Sequence, residues 1–261
     1  MRIALGLEYC GTSFTGWQTQ PDGRGVQDAL ERALAAIAAA DIGTIAAGRT
    51  DAGVHATMQV VHFDTGATRP DSAWVRGVNS HLPATVAVLW ARPVADEFHA
   101  RYAALRRHYT YLLSGRAVRP ALLAGRVGWY HRALDPALMS EAAGALVGTH
   151  DFSAFRAAEC QAKSPIRTLS TASVTLTGEH LRFDFSANAF LQHMIRNIVG
   201  ALVYVGAGKR PPAWIGELLA GCDRRLAAPT FAPDGLHFTG AEYDVGWGLP
   251  PTIRPVVLPL A

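Results

Sequence analysis

The hydrophobic periodicity of this 261-residue chain runs through the same order of elements twice, and few folds accommodate that. Arg2 to Tyr9 alternates, with Ile3, Leu5, Leu7 and Tyr9 on one face and Arg2, Gly6 and Glu8 on the other, which predicts a half-buried strand. Val26, Ala29, Leu30, Ala33, Leu34 and Ile37 recur at helical spacing and predict an amphipathic helix from about Gly25 to Ala40. Strands are expected over 42–47 and 57–64, then a helix over 71–79 and a strand over 86–94. The second half repeats the order, with a strand over 108–113, a helix over 136–147 and paired strands over 169–176 and 181–185. A long apolar helix over 190–205, an extra helix over 212–220 and a last strand over 236–244 complete it. Two β-α-β-β-α-β halves predict an α+β protein: two ferredoxin-like units forming a mixed, largely antiparallel central sheet flanked by helices. The halves are placed at 1–104 and 105–261, with no low-complexity linker between them.

Composition narrows the partners and the compartment. Hydrophobic residues make up 49% of the chain, enough for a substantial core, and the net charge is only +3. The basic side chains are nearly all Arg, since Lys163 and Lys209 are the only lysines. Arg offers planar, bidentate donors that suit phosphate and stack on bases. Cys10, Cys160 and Cys222 are odd in number and far apart, which argues against a disulfide framework or a thiolate zinc site and fits a reducing cytoplasm. Glu8 interrupts any signal-peptide core, and the longest uncharged apolar stretch, 198–208, is too short to span a bilayer. A soluble cytoplasmic protein without membrane contact is expected.

The stretch Gly48-Arg49-Thr50-Asp51-Ala52-Gly53-Val54-His55-Ala56 places one acid between two glycines, with strand-like segments on either side. Glycine permits positive φ and close backbone approach, so such a loop can hold a carboxylate against a ligand. An isolated Asp-Ala-Gly is more often an ordinary turn, with Arg49 solvated. The other nucleophile motifs are missing. There is no Walker loop, no dinucleotide fingerprint, no His-Glu-x-x-His and no Gly-x-Ser-x-Gly elbow, and the ten histidines lack ligand spacing. A metal-dependent mechanism finds no support, and a carboxylate is the best available nucleophile.

Two further stretches carry chemistry. In Arg106-Arg107-His108-Tyr109-Thr110-Tyr111, aromatics alternate with basic and polar residues. Such a strand either offers rings to an unpaired base, with basic groups on phosphate, or buries both tyrosines in a core, which is the commoner pattern. Arg196 sits between Met194-Ile195 and Ile198-Val199, with His193, Gln192, Val199 and Gly200 as its expected helical neighbours. A guanidinium there either finds a partner or snorkels to the surface.

Together these stretches resemble the tRNA pseudouridine synthase A family. The resemblance runs through Leu7-Glu8-Tyr9-x-Gly11, Phe14-x-Gly16-Trp17-Gln18, Val26-Gln27, Ala47 to Ala56 and Gln59 to Phe63. It continues through Val78-Asn79-x-x-Leu82-Pro83, Phe98-His99-Ala100-Arg101, Tyr109-x-Tyr111, Gly148 to Phe155 and the Arg196 helix. The resemblance implies Asp51 as the catalytic aspartate, Tyr109 as the ring on which the target base stacks and Arg196 as the basic partner of the aspartate. It implies Arg49 as the loop arginine that positions RNA and holds the flipped nucleotide out. It also implies a catalytic cleft between the halves, a homodimer with tRNA touching both subunits, and no cofactor. The implied substrates are uridines 38, 39 and 40 of the tRNA anticodon stem-loop.

The implied reaction agrees with the residues. Uridine becomes pseudouridine when the N1–C1′ bond breaks, the base turns and C5 joins C1′, with no redox change. The target must leave the stack, and an aromatic such as Tyr109 offsets that cost. Burial opposes the ionised carboxylate and a nearby guanidinium favours it. Rival readings are a tRNA-binding protein that keeps the fold without turnover, and an N-glycosidase releasing free uracil.

Overall fold

The computed structural model describes residues 1–257. Contacts group them into two units, one of residues 1–107 with the chain from His237 onward, the other His108–Leu236. The junction thus lies a few residues beyond the expected 104/105, and the C-terminal segment joins the first unit. Residues 258–261 of the expected second half lie outside the described residues.

The first unit contains β1 (Arg2–Tyr9), α1 (Val26–Ala38), β2 (Ile45–Ala46), β3 (His55–Asp64), α2 (Val78–His81) and β4 (Val86–Val94). Strand β1 is antiparallel to β3 on one side (Leu5 opposite Val61) and to β4 on the other (Leu5 opposite Ala91). Strand β2 adds to the far edge of β3 (Ile45 opposite His62), giving the order β4-β1-β3-β2. That is the order expected of a ferredoxin-like β-α-β-β-α-β unit. Helix α1 buries Val26, Ala29, Leu30, Ala33 and Leu34, the predicted apolar stripe, and Asp28 Oδ2 caps it by accepting from the Gly25 amide at 2.8 Å.

Strand β1 departs from the half-buried expectation, because Ala4 and Gly6 are buried along with Ile3, Leu5 and Leu7. Gly6 lies opposite Trp90, whose indole fills the space a Cβ would take. A small residue on the second face lets a large ring cover it. The β1–β4 register shifts between Gly6 and Leu7, and there the Asn79 amide group bridges to Val88: Nδ2 donates to its carbonyl at 2.9 Å, and its N–H donates to Oδ1 at 2.7 Å. Strand β2 shrinks to two residues from the expected 42–47, the chain leaving the ladder after the Ala47 amide donates to Val60 O at 2.8 Å.

The second unit contains β5 (Arg106–Gly115, from His108 onward), β6 (Gly128–Tyr130), α3 (Pro136–Gly144), β7 (Gly148–Asp151), β8 (Ile166–Thr177) and β9 (His180–Ala187). Helices α4 (Met194–Gly206) and α5 (Trp214–Gly221) follow. The strand order is β5-β9-β8-β7, with β6 parallel to β5. Strands β8 and β9 form the predicted hairpin, Thr177 opposite His180 across Gly178 at φ +58°. Asp135 caps α3, its Oδ1 accepting from Ala137 and Leu138 at 2.8 and 3.2 Å, with Pro136 at the first helical position. Every residue of α4 except Arg196 and Tyr204 is buried, so this is a core helix.

Two expectations fail here. The apolar helix begins at Met194, not 190, because His193 adopts φ +60° and ends a turn in which the Met194 amide donates to Leu191 O. Gln192 and His193 therefore precede Arg196 as turn residues, not as members of a helical face. The last strand, β10 (Leu236–Glu242), pairs in parallel with β3 of the first unit, His237 opposite His55 and Phe238 opposite Ala56. Sequence order places this strand last, but long-range pairing carries it back to the first sheet. Strands β6 and β7 were not anticipated: three and four residues are too few to show a period. The chain is nevertheless α+β with mostly antiparallel sheet.

Candidate active site

In the first unit, the chain leaves β2 at Ala47 and re-enters the sheet at His55, so Asp51 sits at the middle of the intervening loop. That loop is seated from several sides. Buried Gln59 on β3 donates through Nε2 to Gly48 O at 2.7 Å. The Arg107 guanidinium donates to Ala47 O through Nε and Nη2, at 3.3 and 3.2 Å, and to Ala104 O at 2.9 Å. Thr50, directly before Asp51, is buried, its hydroxyl 2.8 Å from the Tyr9 hydroxyl and its carbonyl accepting from the Trp17 amide at 3.0 Å. Burial pushes the Tyr9 phenol far above its ordinary range, so it remains a neutral partner.

Two glycines of the N-terminal loop allow this seating. Gly16 takes φ +111°, and a Cβ there would lie 2.8 Å from Thr50 O and 3.3 Å from the Asp51 carbonyl carbon. Gly11 presses on the Val54 carbonyl so closely that a side chain would overlap it, and its amide donates to His55 Nδ1 at 3.1 Å. His55 stacks on His237 at 4.7 Å between ring centroids. Within the loop, the Val54 amide donates to Asp51 O at 3.1 Å and Gly53 takes φ +79°. Asp51 is half-buried, while Arg49 and Ala52 are exposed. The backbone is fixed, a carboxylate faces partly outward, and a cation stands two residues upstream.

In the second unit, Tyr109 on β5 is 8% exposed, its ring edge-on to Phe190 with centroids 5.2 Å apart. Tyr111, two residues on, is core: it is fully buried between Phe183 and Phe231, and its hydroxyl donates to Ala232 O at 2.9 Å. Both tyrosines are thus buried, the commoner of the two patterns, with Tyr111 the deeper and spent on packing. The basic start of the strand is also engaged, since Arg106 pairs with Glu242 at 3.0 Å and Arg107 binds backbone carbonyls. Its expected role of holding phosphate does not follow from these contacts.

Arg196 lies in the first turn of α4, half-buried, its Nε donating to Phe231 O at 2.9 Å while its own carbonyl accepts from the Phe231 amide at 3.2 Å. It neither snorkels away nor lies bare. The neighbouring Asn197 is fully buried and pins the same segment: it donates to Phe155 O at 2.8 Å and accepts from Thr230 Oγ1 at 2.7 Å and Arg224 Nη2 at 3.0 Å. Gly200, one turn on, packs directly on the Pro229 carbonyl. Helix α4 and residues 228–232 are thereby locked together around Arg196.

Sequence reasoning assigned no role to Tyr9, Gly16, Gln59 or Asn197. The available signal was polarity out of place: Gln59 sits between Met58 and Val60, and Asn197 between Arg196 and Ile198 in an apolar helix. A buried amide requires hydrogen-bond partners, so such residues mark backbone that needs holding. Among the described residues, no three His, Cys, Asp or Glu side chains come together as ion ligands. No described helix is long and apolar enough to cross a membrane.

The sequence pattern of the tRNA pseudouridine synthase family matches residues 7–103 and 142–244, which include the Asp51 loop and helix α4. The chain belongs to the tRNA pseudouridine synthase family. As a pseudouridine synthase it is an isomerase of uridine in tRNA. It is 60% identical over 250 residues to a tRNA pseudouridine synthase A of Dechloromonas aromatica, covering 96% of this chain and 95% of the relative. It is 57% identical over 261 residues, the whole of both chains, to a tRNA pseudouridine synthase A of Methylobacillus flagellatus. A tRNA pseudouridine synthase A of Chromobacterium violaceum is 61% identical over 251 residues, 96% of each. Asp51, Arg49 and Arg196 lie within the stretches this synthase shares with the family pattern, and Tyr109 falls between them.

Proposed function

We propose that this synthase isomerises uridines 38, 39 and 40 of the tRNA anticodon stem-loop, with Asp51 as the nucleophile. The observation that carries the reading is the seating of the Asp51 loop. Tyr9, Trp17, Gln59 and Arg107 fix the backbone around a half-buried carboxylate. Attack at C1′ of the ribose, attack at the base, and elimination to a glycal each begin from an ionised Asp51. In each route the N1–C1′ bond breaks and a C5–C1′ bond forms. The proton on C5 is lost and N1 gains one, so atoms and electrons balance without a co-reactant.

Tyr109 supplies the ring against which the extruded base stacks, held in place by Phe190. Arg196 is the basic residue of the reaction, its guanidinium oriented by the Phe231 carbonyl. Exposed Arg49 contacts the RNA and holds the flipped nucleotide out of the helix. The reading includes a cytoplasmic homodimer in which tRNA touches both subunits.

The test is a site-resolved map of pseudouridine in an unmodified tRNA transcript, treated with wild-type protein or with Asp51→Ala. New pseudouridine at 38–40 with wild type alone supports substrate region and nucleophile together. Free uracil would mark an N-glycosidase. A folded wild type that binds several tRNAs and modifies none would mark a tRNA-binding protein.

A further inference from the structure

Tyr102 is the most exposed Phe, Tyr or Trp ring among the described residues, with 77% of its surface accessible, yet it is held firmly. It lies in a single turn closed by the Ala103 amide donating to His99 O at 2.9 Å. His99 Nδ1 accepts from the amides of both Arg101 and Tyr102, at 3.2 and 3.1 Å. The His99 imidazole stacks under the Tyr102 ring, centroids 4.2 Å apart and planes 26° from parallel. The Arg101 guanidinium stands 5.8 Å from the ring centroid. At 77% exposure the ring buries little apolar surface, so core packing does not account for the arrangement.

This turn is tied to the Asp51 loop. One nitrogen of Arg107, Nη2, donates both to Arg101 O and to Ala47 O, the residue from which that loop departs. Tyr102 is therefore fixed to the same frame as Asp51, within one guanidinium of the loop's root. An aromatic platform beside an arginine is the chemistry that receives an unpaired base: the ring stacks on its face and the cation meets the adjoining phosphate.

We propose that Tyr102, backed by His99 and flanked by Arg101, is a second base-stacking site, taking an unpaired nucleobase of the tRNA next to the target uridine. This rests on the reading above, because the ligand is the RNA that the Asp51 loop engages. The site differs from Tyr109, which is buried and belongs to the other unit.

The experiment uses the full-length protein and an anticodon stem-loop RNA carrying 2-aminopurine at single loop positions. Binding of wild type is expected to change the fluorescence at one position, and Tyr102→Leu is expected to abolish that change. Affinity should fall about 5- to 150-fold with Tyr102→Leu, the range for loss of one stacked base. Tyr102→Trp should keep both signals, and the salt dependence should be alike in all three, since no phosphate contact is removed. Equal affinity and equal fluorescence for wild type and Tyr102→Leu would overturn the proposal. So would a change of oligomeric state in place of an RNA effect, which would make Tyr102 a subunit contact. Pseudouridine mapping of the same RNA separates the two readings. Modification by wild type with an indifferent Tyr102→Leu removes only the second stacking site, whereas absence of both binding and modification removes both.

Discussion

The amide of Trp17 donates to the carbonyl of Thr50 at 3.0 Å, which ties the N-terminal loop to the residue before Asp51. Gly16, one residue earlier, bends back at φ +111°, and a side chain there would come to 2.8 Å from the same carbonyl. A loop of this length would otherwise sample many conformations. Here the residue before Asp51 is ordered by a segment about 34 positions earlier in the chain.

Gly16→Ala should therefore damage catalysis more than folding. A Cβ would sit 2.8 Å from Thr50 O on backbone strained for any L side chain, a cost of about 1–3 kcal/mol. Pseudouridine formation is expected to drop by at least about tenfold, with thermal melting showing a cooperative, modestly destabilised protein. Full activity in a stable Gly16→Ala would show that the loop does not need this seat.

Tyr109 separates ring from hydroxyl. Tyr109→Phe should keep most activity, because the ring that packs on Phe190 remains; Tyr109→Leu should lose about 5- to 150-fold in kcat/KM, the worth of about one to three kcal/mol of stacking. Equal losses in steady-state kinetics would assign the role to the hydroxyl.

Arg196 tests orientation as well as charge. Its Nε donates to Phe231 O, a bond that the point charge of lysine does not reproduce. Arg196→Lys and Arg196→Ala should both lower turnover more than tRNA affinity, with lysine the milder. A defect confined to affinity would remove Arg196 from the catalytic machinery.

His62 predicts an acid limb of stability. It is buried, accepts from the Ala100 amide at 3.1 Å through Nδ1, and lies against Phe98 and His99. Burial, followed by the nearby charges of Arg2 and His99, lowers its pKa from 6.5 to about 4, Asp64 opposing. With the folded value below the unfolded one, the unfolded chain takes the proton first as pH falls. The contribution is complete above about pH 6.5 and declines until about pH 4, a loss on the order of 3 kcal/mol. Urea titrations across that window should show it in wild type, and His62→Asn, which keeps an acceptor without titrating, should flatten it. An unchanged slope in the variant would place the titration elsewhere.

Periodicity carried most of the local structure. Helix α1, strand β4 and the β8–β9 hairpin lie where alternation and helical spacing put them, because each buries one face and shows it in the residue pattern. The Asp51 loop was legible as a string, flanked by glycines whose backbone freedom has few other uses. The boundary of α4 was not legible, since an apolar run reads alike whether or not His193 turns its backbone to φ +60°.

What the sequence by itself determined was most of the helices and strands, since these depend on neighbours a few positions away, while the resemblance carried by its motifs named Asp51, Tyr109, Arg196 and Arg49 as candidates. The tertiary structure alone decided that β10 returns to pair with β3, that Tyr111 is core where Tyr109 meets Phe190, and that Trp17 and Gln59 hold the Asp51 loop. Those contacts join residues far apart in the chain. They arise because buried backbone and amide groups must find hydrogen-bond partners wherever the fold brings one within reach.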